Sequence, residues 1–244
     1  RLLSPTTHLF SPRNFSDVNK TVAAAILSEA KKEGKTFLSS KQVFNLLGAY
    51  RIPLADWRVS DSPYDVAKAA REIGFPVVMK ADSESLVHKS DLGGVVVNLK
   101  NMDEVLTTVE MLKKKFEMKD LKFFVQKFLP EGRELIAGIS AKKGLGHLLM
   151  FGVGGIYVEV LKDVVFKIAP VTEVEAKEML SSIKTSKLLD GVRGEKAIHR
   201  ESVVEIIQRL SQLVCDFPEI QEMDLNPILA FENNAFVVDA RIKI

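Results

Sequence analysis

The stretch FPVVMKADSESLVHKSDLGGVVVNL, residues 75–99, decides how the rest of the chain is read. It starts as a strand, with Pro76 leading Val77, Val78 and Met79 into Lys80. A polar segment over 81–94 carries Ser83, Ser85, His88, Lys89, Ser90, Asp91 and the pair Gly93-Gly94, and β-type sequence returns at Val95-Val96-Val97. A lysine at a strand end beside small and hydroxylated residues suits phosphate. Glycine lets backbone N–H groups approach anionic oxygens, and lysine adds a mobile positive charge. An ordinary hairpin with a long polar loop has the same outline, so both readings stay open here.

Composition narrows the class. A chain of 244 residues makes one large domain or two small lobes. Its 46% apolar and 27% charged residues are ordinary for a globular protein, and a net charge of +2 calls for no nucleic acid and no acidic membrane partner. No apolar run approaches the roughly 20 residues that span a bilayer. The start, RLLSPTTHLFSPRNF, lacks the apolar core of a secretory signal. One cysteine, Cys215, excludes an intrachain disulfide and any cysteine-based metal cluster. It lies in an apolar helical pattern, which predicts a buried structural thiol and a reducing, cytoplasmic setting. Beginning at Arg1, the sequence reads as part of a longer chain or a processed form.

Working outward, residues 1–17 have no clear periodicity and are expected to be a tail or linker. Helical spacing begins at Val18, with Val22, Ala25, Ile26 and Ala30 on one face and Gly34 ending it. Ser39 and Gln42 are placed as a capping box, and a short strand is expected over Trp57 to Val59. Ser62 and Pro63 start a helix with Val66, Ala69, Ala70 and Ile73 inward, closed by Gly74. Asn101 and Glu104 start another. This alternation predicts a first α/β lobe over 18–121. A second, α+β lobe is predicted over 122–244. Its strands begin at Lys122 to Gln126 and Arg133 to Ser140, and the run Gly152-Val153-Gly154-Gly155 is followed by β pattern at Tyr157 to Val160 and Val164 to Ile168. Thr172 and Glu175 cap one helix, and Val203, Ile206, Ile207, Leu210 and Val214 mark a second. Two strands, Met223 to Phe231 and Ala235 to Ile242, close the chain.

The last hairpin is the second informative place. Asp224 and Asn226 are two residues apart on one strand face, and Asp239 falls on the adjoining strand. Hard oxygen donors of this kind suit Mg²⁺, which keeps waters and takes one or two carboxylates plus substrate phosphates. A strand-end turn, with Asp239 paired to Arg241 or Lys243, is the alternative.

Four segments in order, PVVMKADSESLVHKSDLGGVVVNL (76–99), FVQKFLPEGRELIAGI (124–139), FGVGGIYVEVLKDVVFKIAP (151–170) and EMDLNPILAFENNAFVVDARI (222–242), resemble the nucleotide-binding β part of ADP-forming acyl-CoA synthetases, the acetate–CoA ligase group related to succinyl-CoA synthetase. The resemblance covers nearly everything after Val18. It implies an ATP-grasp fold, α+β and α/β, in which two lobes grip a nucleotide.

By position, the resemblance makes Lys80 the lysine that reaches the nucleotide phosphates. Val125, Gln126 and Phe128 match the hinge whose backbone reads the adenine edge, and Glu134 matches a polar position near the ribose or hinge. Asp224, Asn226 and Asp239 match the magnesium positions, where relatives often have glutamate in place of Asp224. His88 matches a histidine of the β part that relays phosphate. A neutral imidazole near pH 7 can accept phosphate from one donor and pass it to another. A loop histidine that only donates a hydrogen bond is the plainer reading. The remaining histidines, His8, His147 and His199, are expected in surface or turn roles. Glu159 either orients that histidine or a metal water, or is a sheet-face carboxylate balanced by Lys162 or Lys167. Arg193, between Gly191 and Gly194, resembles an arginine near the phosphates, with a solvated loop arginine as the alternative.

The implied function is the nucleotide half of acyl-CoA + ADP + phosphate ⇌ acid + CoA + ATP, with Mg²⁺ and ADP or ATP. An α subunit or fused CoA-binding domain would carry the primary phosphohistidine, making the protein a hetero-oligomer or one part of a longer chain. A stand-alone ATP-grasp carboxylate ligase, and a non-catalytic regulatory module of a fused acyltransferase, are the competing functions.

Overall fold

The computed structural model describes residues 11–83, 93–192 and 194–244. They form two compact units, one comprising residues up to Leu38, Gln42–Leu54 and Glu131–Ile244, the other Ser39–Lys41 and Ala55–Pro130.

The smaller unit is a four-stranded antiparallel sheet covered on one face by two helices. Its elements in chain order are β1 (Trp57–Ser60), α3 (Pro63–Ile73), β2 (Val77–Asp82), β3 (Val95–Leu99), α4 (Met102–Lys115) and β4 (Lys122–Lys127). The α3 start is set as the sequence predicts: the Ser62 side chain accepts the Asp65 N–H and Pro63 fills the first turn. The Asn101 side chain does the same for α4 by accepting from Glu104 N–H. The strand order is β1-β4-β2-β3. Alternation along β2 and β4 sends Val77, Met79, Ala81, Phe123 and Val125 into a core with Val66, Val105, Val109 and Leu112 of the helices. The opposite face carries Val78, Lys80, Phe124 and Gln126.

The expected boundary at 121/122 therefore falls elsewhere. β4 pairs with β1 and β2 through Trp57↔Gln126 and Lys80↔Phe124, so it belongs to the smaller unit's sheet.

The larger unit contains α1 (Lys20–Lys32), most of α2 (Ser40–Ala49), and then β5 (Arg133–Lys142), β6 (Gly146–Val153), α5 (Ile156–Glu159), β7 (Val164–Ile168), α6 (Glu173–Ser182), α7 (Arg200–Asp216), β8 (Glu222–Ala230), β9 (Ala235–Val237) and β10 (Ala240–Lys243). Its antiparallel sheet runs β10-β8-β5-β6-β7, with β9 also on β8. The capping box Thr172/Glu175 is formed at α6. Chain from before residue 54 joins this unit because its backbone pairs there: Leu38 N–H donates to Ile242 O, Ile244 N–H to Thr36 O, and Val237 N–H to Pro53 O.

Several expectations change. On α1 Ala30 is buried as expected, but the other buried residues are Ala23 and Leu27, each one position on from the expected Val22 and Ile26, and Val22 is exposed. Residues 14–17 are not a loose tail, since Phe15 is buried and Asp17 is ion-paired to Arg209. Tyr157 to Val160 is not strand: Gly155, at φ 65°, turns the chain and Glu159 N–H donates back to Gly155 O, giving the single helical turn α5. Cys215 is exposed on α7, and partial burial with the neighbouring Asp216 carboxylate pushes its thiol up. His147 is buried rather than superficial, with Nε2 2.7 Å from Ile220 O. No helix among the described residues is long and apolar enough to cross a membrane.

Candidate functional site

The smaller unit presents Lys80 near the end of β2. Its cross-strand partners are Val95 on β3 and Phe124 on β4. Alternation places Lys80 on the face away from the helical core, half-buried, and its Nζ sits 5.4 Å from the centroid of the Phe124 ring. Phe124 is stacked in turn on Trp57, at 5.5 Å with parallel planes. Pairing register brought these residues together. Aromatic residues in strands are the one local signal for it.

Gln126 lies on the same face, two residues along β4. It is 2% exposed, and its Nε2 has no hydrogen-bond partner among the described residues. Leaving such a group unpaired is costly, which marks it as a position built for a partner. Val125 is fully buried in the helical core, so its side chain is structural. The N–H of Phe128 donates to Pro76 O and that of Lys127 to Asp56 O. Those two donors are thus engaged, and the Gln126 amide is the open one at this strand end.

The larger unit presents Asp224, Asn226 and Asp239. Along β8, Met223 and Leu225 are buried while Asp224 and Asn226 are exposed, as period-two alternation requires. Opposite β5, Ile228 pairs with Leu135 and Leu225 with Ala137, so Asn226 and Pro227 together face one residue. This bulge turns the strand at the site. Asp239 occupies the break between β9 and β10, where its carbonyl accepts the Asn226 N–H at 3.1 Å and its Oδ1 accepts the Ala240 N–H at 3.0 Å. All three side chains therefore lie on one sheet face. Asp224 is pushed up from the ordinary carboxylate range, first by desolvation and then by the Asp239 charge, with Arg241 across the strand pair opposing. Two carboxylates and an amide oxygen in this arrangement fit a hard divalent cation such as Mg²⁺, whose charge would relieve the repulsion. Among the described residues no group of three His, Cys, Asp or Glu forms a cage for a metal. The same face opens into a cavity of about 450 Å³ lined in part by Ser140, Met150, Phe166, Asp224 and Arg241.

Glu134 is exposed on β5, and its carbonyl accepts the Gly154 N–H at 2.8 Å. A Cβ on Gly154 would stand 3.2 Å from Glu134 Cβ, so the glycine run lets the end of β6 lie against Glu134. Glu159 ends α5 and is exposed, so it occupies no sheet face. His88 and Arg193 lie outside the described residues. Among the described residues on either side, Arg133 is paired to Glu195 and Arg200 to Asp190.

The sequence also missed a polar seam on α7. Gln212 Oε1 accepts Phe15 N–H, and Arg209 grips both carboxylate oxygens of Asp17 while covering the Phe15 ring at 3.9 Å.

Comparison with known proteins places these features in context. The ATP-grasp domain model matches residues 29–244. The chain is 46% identical over 232 residues to a 4-hydroxybutyrate–CoA ligase (ADP-forming) of Nitrosopumilus maritimus, covering 92% of this chain and 33% of that protein. It is 40% identical over 225 residues to the acetate–CoA ligase (ADP-forming) I subunit beta of Pyrococcus furiosus, covering 90% of this chain and 97% of that protein. It therefore spans a third of the first relative and nearly all of the second. A solved acetyl-coenzyme A synthetase 1 of Ca. Korarchaeum cryptofilum, with coenzyme A, Mg-AMPPCP and a phosphohistidine segment pointing towards the nucleotide binding site, superposes with a TM-score of 0.83 at 36% identity, over 91% of this chain and 99% of that one.

Proposed function

This chain belongs to the ATP-grasp domain family, and from that premise we propose that it is the nucleotide-handling β component of an ADP-forming acyl-CoA synthetase. Its share of the reaction is phosphoryl transfer between ADP and a phosphohistidine borne by an α part, whether a separate subunit or a fused domain. In the ATP-forming direction a P–N bond to the imidazole breaks, a new P–O bond to the β-phosphate of ADP forms, and the freed ring nitrogen takes up a proton. The observation that carries the reading is the shared face of Asp224, Asn226 and Asp239.

These three residues would hold Mg²⁺, which when bound neutralises phosphate charge. Lys80 binds and orients the phosphates as a cation on a strand, and the Gln126 amide meets the base. Most of the catalysis in such a transfer is positioning and charge neutralisation. His88 enters this reading on its sequence position alone, as the relay between the α part and ADP.

The test combines the chain with its α component, acetyl-CoA and labelled phosphate, and follows label into ATP. Asp224→Asn/Asp239→Asn is expected to lose transfer and Mg²⁺-dependent ADP binding together without lowering its melting temperature in EDTA. Retained Mg²⁺-dependent ADP binding overturns the metal assignment. Sustained ligase turnover without any α component overturns the β-component reading. In the same assay, unchanged label transfer in His88→Ala rejects the relay.

A further inference from the structure

We propose that a groove on the larger unit's sheet, floored by Gly138 and Ser140 of β5, seats the polypeptide segment that flanks the phosphohistidine of the α part; the inference rests on the β-component reading given above. β5 is the middle strand of the order β10-β8-β5-β6-β7. Register aligns one residue from every strand in a row across this face: Arg241, Asp224, Gly138, Met150 and Phe166. The next row on the same face is Lys243, Glu222, Ser140, Leu148 and Ile168. Both rows run from a cation through a carboxylate and a small residue to two apolar side chains. The floor thus lies along β5, with a charged wall on one side and an apolar wall on the other.

The floor is low because Gly138 has no side chain, and a Cβ there would stand 3.1 Å from Met150 Cε. Adjacent strands lie about 4.8 Å apart, so the β8 and β6 backbones flank a gap of about 10 Å, room for one extended chain. On the charged wall the exposed Arg241 guanidinium sits 4.1 Å from the centroid of the Phe37 ring. On the apolar wall Phe166 is 52% and Ile168 45% exposed, and a bare strip of this kind marks a binding surface. The chemistry of the two walls selects the occupant. Nucleotide phosphates use the carboxylate and the guanidinium but have no use for Leu148, Met150, Phe166 and Ile168. A phosphorylated peptide uses both walls: its phosphate meets Arg241 and the cation held by Asp224, while the apolar side chains beside its histidine cover the β6–β7 strip. Asp224 belongs to the first row, so a segment lying over Gly138 brings its phosphate directly to the metal residues.

The α component is phosphorylated with acetyl-CoA and labelled phosphate, and label passing to ADP is followed while the α component and ADP are varied in turn. Phe166→Ser/Ile168→Ser is expected to raise the half-saturating concentration of the phosphorylated α component about tenfold, the order set by withdrawing two half-exposed apolar side chains. Half-saturation by ADP, calorimetric Mg²⁺-dependent ADP affinity and melting temperature should match wild type. Ser140→Phe, which fills the floor, should give the same split. With the unphosphorylated α component as a competitor, the apolar variants should weaken both forms equally, whereas Arg241→Met should weaken the phosphorylated form more. Lost ADP affinity in Phe166→Ser/Ile168→Ser puts the nucleotide on the strip and overturns the proposal. A changed sedimentation of the chain alone puts a second copy there and does the same. Should wild type transfer label and both groove variants match it at every α concentration, only the docking assignment falls. Should wild type take no label from the phosphorylated α component, the β-component reading falls and the inference with it.

Discussion

Arg209 on α7 grips Asp17 with both terminal nitrogens, Nη1 to Oδ1 at 2.9 Å and Nη2 to Oδ2 at 3.0 Å, across 192 residues of sequence. The guanidinium also donates to Glu205 and to Tyr50 O, and it is almost fully buried. Asp17 is held below the usual carboxylate range, chiefly by its hydrogen bond from Arg209. The segment 14–17 is thus a strap across one polar seam of a helix, and the seam is buried because the strap covers it.

Arg209→Ala leaves that seam without its central donor and uncovers the Phe15 ring. The expected cost is about 2–4 kcal/mol, within the range for removing a buried, multiply bonded polar side chain. Denaturant titration measures it. Limited proteolysis should cut within 11–17 faster in the variant. Equal midpoints and equal cutting rates would show that the strap is incidental.

How much of this could be read in advance depended on distance along the chain. The start of α3 is written in Ser62-Pro63, that of α6 in Thr172 and Glu175, and the shared face of Asp224 and Asn226 in their two-residue spacing. Each of these signals acts within a turn or a strand. The strap escaped because its partners, Arg209 and Gln212, lie almost 200 residues away and look like solvent-facing helix positions. Sequence alone places β4 in the other lobe because pairing partners leave no local mark. Tyr157 to Val160 has β-forming side chains, yet the tight turn at Gly155 decides its conformation. The layering of Trp57, Phe124 and Lys80 is likewise a product of register.

Asp163 gives a pH prediction. Its buried carboxylate accepts the N–H groups of Lys184 and Thr185 and the Thr185 hydroxyl, at 2.8, 2.7 and 2.5 Å. Burial pushes its pKa up, and these hydrogen bonds together outweigh burial, so the folded value is lowered. A lowered folded pKa contributes stability that is fully present above the unfolded value near 3.8 and lost as pH falls through the folded value. Asp163→Asn should therefore be less stable than wild type at pH 7, and the difference should shrink in acid below the unfolded value. A difference that is constant with pH would remove the ionised carboxylate from the account.

Gly191→Ala should destabilise the packing of Gly191 against Glu195 and Ala197. Gly191 has φ 82°, and a Cβ there would collide with Glu195 O and stand 2.9 Å from Ala197 N, both backbone atoms that cannot swing aside. The strain of a left-handed alanine alone is on the order of 1–2 kcal/mol. Hydrogen exchange is expected to rise at Ile198, whose N–H donates to Leu189 O across the loop. Unchanged exchange at Ile198 would mean that the loop absorbs the methyl group without opening.

Asp239→Asn separates stability from function. Like charge from Asp239 helps to raise the Asp224 pKa, so the pair opposes folding at neutral pH when no cation is present. Removing one of two solvent-reaching charges should raise stability in EDTA by a few tenths of a kcal/mol. With Mg²⁺ and ADP the order should reverse, since wild type gains binding energy that the variant lacks. Thermal melts in the two buffers decide it, and a variant that is less stable in both would sink the argument.

Gln126→Leu carries the same logic to the other unit. The Gln126 amide is buried with Nε2 unpaired, so replacing it with an apolar side chain of similar size removes a desolvation cost without leaving a partner stranded. Stability of the nucleotide-free chain should rise by about 1 kcal/mol. If the amide meets the nucleotide base, ADP affinity should fall in the same variant, and adenosine affinity should fall by the same factor, because both ligands carry the base. Loss for ADP alone would move Gln126 to the phosphate end, whereas no loss for either would make the unpaired amide a plain packing defect.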